Sequence, residues 1–347
     1  MLSLLSNSDF DAEVICPEGA LSSYLTMQGI PVHNVRFARF AFYRKPLWHL
    51  GLLMRLYLII RKSRAEMIVL NLDGNVPIVT LTAMFAGLPL IRFCRFEFSA
   101  PRRLDGWCWQ RTSAVICPSK TVYEQFVSWS GSSNQNSVHT LYDPCEVSER
   151  PNEAKATGND SQLVGFVGRI DKVKKIETAI NVLAEIRNKG VNASLLIAGG
   201  GDGSAEADAY LAELRNLAED LNVGPFTRFV GPLSHKDIGA LLDTLDVLIL
   251  PSASESFGLA LVEAWSRGRP TVASDVGACR EITTASGGGF LAATGDIAAF
   301  SENVMKLLKE PALALEMGKQ GRSWVDRSCN PKTYAQSFHA ILKQFTN

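Results

Sequence analysis

Short runs rich in Val, Ile and Leu recur along this chain, each followed by a stretch of helical character. The runs expected to form strands are residues 13–17, 67–70, 89–93, 114–118, 162–168, 193–198, 227–230, 247–251 and 271–274. They are nearly continuous in apolar character, the mark of parallel strands covered on both faces. Strand and helix in alternation imply an α/β fold with doubly wound, Rossmann-like sheets. At 347 residues the chain is too long for one ordinary core and suits two domains. One stretch, SERPNEAKATGNDSQ at 148–162, is polar and has no apolar run, so it reads as a linker. The expected domains are therefore 1–150 and 151–347, with the terminal helices crossing back to the first.

Charge narrows the function classes. The formal net charge is zero, which argues against a general nucleic-acid binder. That balance hides an asymmetry: from Gly19 to Ala65 there is no Asp or Glu, while Arg36, Arg39, Arg44, Lys45, Arg55, Arg61, Lys62 and Arg64 all fall there. Aromatic residues are interleaved with these cations over 36–64. Such a segment suits peripheral contact with an anionic membrane face. The competing reading is a helix on the first domain's sheet, with Arg stems covering apolar surface. The most hydrophobic windows are interrupted or too short to span a bilayer. The seven cysteines are odd in number and form no CxxC pair, so neither a zinc site nor a disulfide framework is expected. A cytoplasmic setting, at the inner face of the membrane, is the expectation.

Three stretches of the second half can carry chemistry. In GFVGRIDKVKKIETAI (165–180) a strand ends at Gly168, and Arg169 and Lys174 follow before the next helix. Cations beyond the carboxyl end of a strand can neutralise a phosphate or diphosphate. In LIAGGGDGS (196–204) consecutive glycines, Gly200 among them, permit close backbone approach to a ligand or make a flexible turn. The GxGxxG spacing of a dinucleotide fingerprint is absent. In SASESFGLALVEAWS (252–266) a turn carrying Glu255 leads into a helix carrying Glu263. The start of a helix offers free N–H groups and a partial positive charge to a diphosphate. A carboxylate, by contrast, accepts hydroxyl hydrogens and can take both hydroxyls of a vicinal diol. One glutamate on ribose and one on sugar, with the diphosphate between, is the economical reading.

Taken in order, Arg169 with Lys174, the glycines, Glu255 with Glu263, and SDVGACREI (274–282) resemble the nucleotide-binding domain of the retaining glycosyltransferases of family 4. These have the two-domain GT-B fold. Their G-R-x-x-x-x-K-G stretch supplies Arg and Lys to the donor diphosphate, matching Gly168, Arg169 and Lys174 here, with Lys175 in place of the last Gly. Their E-x7-E element supplies one Glu to the donor sugar and one to the ribose, matching Glu255 and Glu263. The resemblance also implies diphosphate contacts from the backbone around Ser256, Phe257, Gly258 and Leu259. The first half is less similar. LYDPCEV (141–147) has Asp143 where the family has Asn, and no His lies between Ile68 and Phe98, where Arg92 or Arg95 stands near its place. The family's opening strand and Gly-rich loop find no counterpart, which gives the expectation of a truncated N-terminal domain.

The resemblance thus implies transfer of a sugar, with retention, from a nucleotide-diphosphate sugar to a glycan or lipid-linked acceptor, as in polysaccharide or lipopolysaccharide assembly. Arg169, Lys174 and Glu255 form the expected catalytic set, and no obligatory metal or cofactor is implied. Two rivals are a nucleotide-sugar epimerase on the same scaffold and a nucleotide-binding relic without transfer activity.

Overall fold

The computed structural model describes residues 10–37, 46–71, 76–95, 103–130, 137–147 and 161–346. Most of the expected linker, the segment before residue 10 and the aromatic cluster at 40–43 lie outside the described residues. The chain divides into two compact units, residues 1–144 with 331–347, and residues 145–330.

In the first unit β1 (Val14–Cys16) pairs in parallel with β2 (Val32–Asn34). A second parallel set runs in the order β3 (Ile68–Leu70), β4 (Leu90–Phe93), β5 (Ala114–Cys117) and β6 (Val138–Thr140). The helices Pro46–Ser63 and Val76–Ala86 pack on each other. Leu52, Leu56, Ile78, Val79 and Leu90 lie in one buried cluster there. Another face of the unit buries Ile91, Phe93, Ala114 and Ile116 under Tyr334, Phe338, Ile341 and Leu342. Those last four residues sit on the helix Pro331–Lys343, which counts with this unit although it comes from the far end of the chain.

The second unit holds one parallel sheet of six strands. These are β7 (Gln162–Val167), β8 (Ala193–Ala198), β9 (Thr227–Gly231), β10 (Val247–Leu250), β11 (Thr271–Ser274) and β12 (Gly289–Ala292). Their spatial order is β12-β11-β10-β7-β8-β9. From β7 the chain winds outward through β8 and β9, then returns to the other side of β7 with β10 and continues to β12. That reversal makes a switch point between β7 and β10, and in open α/β sheets ligands bind outside the strand carboxyl ends at such a point. All four residues of β10 and all four of β11 are buried, as expected of central strands covered on both faces.

The nine expected strands all form. Three further strands, β2, β6 and β12, were not expected from sequence; each is three or four residues long and lies at a sheet edge. Strands that short carry little pattern of their own, and their neighbour in the ladder decides them.

Candidate functional site

The loops that leave β7 and β10 meet at the switch point. After Val167, Gly168 donates its N–H to the Ala198 carbonyl at 3.0 Å, and Ile170 donates to the Gly200 carbonyl at 3.0 Å. The Asp171 carboxylate then accepts from the Val173 N–H at 3.0 Å and caps a short 3₁₀ turn, Lys172–Lys174. Lys175 turns the chain through a left-handed conformation (φ 51°, ψ 43°) into the helix Ile176–Asn188. That is the position where the family pattern has glycine, and left-handed backbone is where a Cβ costs most. The carbonyl of Val173 accepts from Ala253 N–H at 2.8 Å, which clamps this turn to the loop after β10.

The clamp brings Lys174 to Glu255. The ammonium Nζ lies 2.5 Å from Glu255 Oε1, and Ser252 Oγ donates to the same oxygen at 2.8 Å. Both charged side chains are largely buried. The Glu255 carbonyl accepts from Ala278 N–H at 3.1 Å, which ties the loop to the first turn of the helix Gly277–Ser286. SDVGACREI therefore contributes support for the Glu255 loop.

Arg169 is placed differently. Its side chain is 69% exposed and its head group stands 3.3 Å from Asp171. With Gly168, Gly199, Gly200, Pro232 and Leu233 it borders a recess of about 210 Å3. The glycine at 199 has a structural cause: a Cβ there would lie 1.7 Å from the Gly168 carbonyl oxygen. Close packing of two strand-end loops explains Gly199, whereas Gly200 sits beside Pro232 with ordinary clearance and stays on the recess wall.

The helix Leu259–Ser266 starts after Gly258, whose φ of 87° again selects glycine. No side chain caps it, so the first N–H groups keep their donor capacity. Ser256 is half-buried, Phe257 is buried beneath the turn, and Leu259 is exposed at the helix start. Val173 and Leu259 are the only large hydrophobic residues exposed in the second unit among the described residues, and both border these loops.

Glu263, one turn into the helix, has different surroundings from Glu255. It is largely buried, and burial pushes its carboxyl pKa up, partly offset by His235 and Arg267. His235 Nδ1 lies 3.6 Å from its Oε1. Among the described residues this buried carboxylate has that loose contact and more distant charge around it, and it keeps acceptor capacity for a ligand.

Nothing in the sequence around His235 marks it for this site. It stands at the first position of the helix His235–Thr244, capped by Ser234, and reaches Glu263 only through the fold. Ser252 and Asp171 were likewise unassigned. In the first unit Arg92 is buried, its guanidinium 3.4 Å over the Trp109 ring, while Arg95 donates to Asn71 Oδ1 at 2.9 Å and pairs with Asp143. Arg95, not Arg92, therefore presents its head beyond the strand ends of that sheet. All seven cysteines are free thiols. Cys145, packed near Glu263 and Ser266, has its thiol pKa pushed up to about 11, chiefly by burial.

Comparison with known proteins places the chain among known relatives. Residues 148–324 match the sequence model of the family described as "Glycosyl transferases group 1". The chain is 32% identical over 184 residues to 2-deoxystreptamine glucosyltransferase of Streptomyces kanamyceticus, covering 52% of this chain and 45% of that protein. It is 26% identical over 219 residues to a glycogen synthase of Mycobacterium tuberculosis, covering 63% and 51%. The chain thus spans about half the length of the curated relatives it matches. Among solved structures, Anabaena Alr3699/HepE in complex with UDP and glucose superposes with a TM-score of 0.80 at 17% identity, covering 94% of this chain and 89% of that one. Sucrose-phosphate synthase from Thermosynechococcus elongatus gives 0.77 at 20% identity, covering 96% and 95%. At these identities the structural likeness speaks for the fold alone, two Rossmann-like domains of the GT-B class. The sequence match takes in half the chain and every residue of the candidate site, and on that ground the chain belongs to the glycosyl transferases group 1 family.

Proposed function

We propose that the chain transfers a sugar from a nucleotide-diphosphate sugar to a glycan or lipid-linked acceptor, with retention, in the manner of glycosyltransferase family 4. The observation that carries this reading is the Lys174–Glu255–Ser252 cluster at the β7/β10 switch point, beside an uncapped helix start. Arg169, Lys174 and the first N–H groups of helix Leu259–Ser266 would face the diphosphate. As the glycosidic bond to the leaving diphosphate breaks, negative charge builds on its oxygens, and fixed positive groups in a largely buried site stabilise that charge more than water does. Glu263 would accept both ribose hydroxyls. Glu255, already oriented by Lys174 and Ser252, would accept hydroxyls of the donor sugar and hold its anomeric carbon toward the acceptor. The domain over residues 1–150 would supply the acceptor site. Anabaena Alr3699/HepE, similar in fold, has been solved in complex with UDP, which makes uridine the first base to try.

The test is to incubate the chain with UDP-, GDP- and ADP-sugars and an oligosaccharide or lipid extract. The expected result is release of one nucleoside diphosphate in step with a new glycosidic bond whose anomeric configuration, read by NMR, equals that of the donor. An inverted product would refute retention. A donor sugar altered without transfer would replace the reading with epimerisation.

A further inference from the structure

The helix Pro46–Ser63 is apolar on two faces. Leu52, Leu56 and Ile60 are buried in the first unit. Yet Leu47, Leu50, Met54 and Leu58 are exposed at 83%, 57%, 51% and 59%. Their spacing of three, four and four residues puts all four on one stripe of the outer surface. Arg55, Arg61 and Lys62 are exposed on the same helix, toward its C-terminal half. The contrast between the units is sharp: among the described residues the first unit exposes eleven large hydrophobic side chains, and the second exposes only Val173 and Leu259, both at the candidate site. Soluble surfaces rarely leave such a stripe uncovered.

We propose that this outer face lies on an anionic lipid surface. Charge complementarity selects that occupant. Arg55, Arg61 and Lys62 are exposed beside the apolar stripe, and the sequence from Gly19 to Ala65 contains no Asp or Glu to oppose them. An amphipathic helix in a membrane interface needs this arrangement, apolar side chains entering the acyl boundary and cations meeting phosphate headgroups. The helix cannot span the bilayer, because its opposite face is committed to the protein core. The insertion elements are thus the aliphatic residues of this helix, where the sequence alone had drawn attention to the aromatic residues interleaved over 36–64. The inference does not rest on the donor-site reading, and nucleotide binding should be unchanged in the variants below.

Sedimentation of the full chain with phosphatidylcholine vesicles, with and without phosphatidylglycerol, tests the proposal at low and raised salt. The chain should bind only the vesicles that contain the anionic lipid, and salt should weaken binding. Arg61→Gln with Lys62→Gln should weaken it about thirtyfold. Leu50→Ser, Met54→Ser and Leu58→Ser together should weaken it roughly a hundredfold. Leu47→Ser, at the most exposed position, is the milder variant should the triple change unfold the chain. Absence of binding to anionic vesicles, or apolar variants that bind like the parent, would overturn the proposal. So would a parent chain that dimerises in solution through a contact the same variants break, since the face would then belong to a second copy.

Discussion

Glu255 and Glu263 lie eight positions apart and have opposite electrostatic surroundings. Glu255 shares an oxygen between an ammonium and a hydroxyl, so the direction of its carboxylate is fixed. Glu263 is buried with a loose histidine contact, and its pKa is raised by that burial. Over the pH range between the ordinary glutamate value and the raised one, the folded chain holds this proton and the unfolded chain has released it. Stability therefore falls as pH rises through that window, and the penalty persists at neutral pH. Glu263→Gln should accordingly raise the melting temperature at neutral pH and remove that part of its pH dependence. The same variant should weaken nucleotide binding about ten- to a hundredfold, because hydrogen bonds to a charged acceptor are lost. Thermal melts across pH, paired with nucleotide titration, check both. A destabilised Glu263→Gln would mean that the carboxylate has a structural partner and is not held ready for a ligand. Two departures from the family pattern also meet at this scale: Asp143, where the family has Asn, pairs with Arg95, from the region where it often has His. A carboxylate neutralising a guanidinium makes each change compatible with the other.

At the scale of elements, the turn from β7 into helix Ile176–Asn188 shows how much was legible. Gly168, Arg169 and Lys174 could be read because their spacing is local and their chemistry is distinctive. The reason for Gly199 could not, since the oxygen it makes room for belongs to another loop. His235 was hidden for the same reason, being 28 positions from Glu263 in sequence. The short edge strands escaped notice because pairing, and not pattern, defines them. Lys175 yields a separate prediction. Its positive φ costs a residue with a Cβ on the order of 1 kcal/mol. Lys175→Gly should stabilise the chain slightly, by up to about 0.5 kcal/mol, after the entropy that glycine adds to the unfolded state. Denaturant unfolding measures this, with nucleotide affinity expected to hold. A loss of stability would show that the Lys175 side chain contributes more than its backbone costs.

For the whole molecule, the sheet of the second unit explains why residues from four loops converge. Strands β7 and β10 are neighbours in space although two strands and their helices separate them in sequence. That adjacency lets Val173 bind Ala253 and Lys174 bind Glu255. The alternation of apolar runs with helices was enough to anticipate two Rossmann-like domains. The expectation of terminal helices crossing back could not single out Pro331–Lys343 among them, because nothing local in Tyr334, Phe338 or Ile341 says which sheet they cover. The division into units likewise leaves the loops of the proposed donor site wholly within residues 145–330, so the proposal can be tested on nucleotide alone.

The most direct measurement is calorimetric titration of the full chain with UDP, GDP and ADP, repeated on Lys174→Ala and Glu263→Ala. Micromolar binding of one nucleotide is expected, weakened at least tenfold in both variants, Lys174→Ala through the diphosphate and Glu263→Ala through the ribose. A folded chain that bound none of the three, or that bound one equally well in both variants, would contradict a donor site at the β7/β10 switch point.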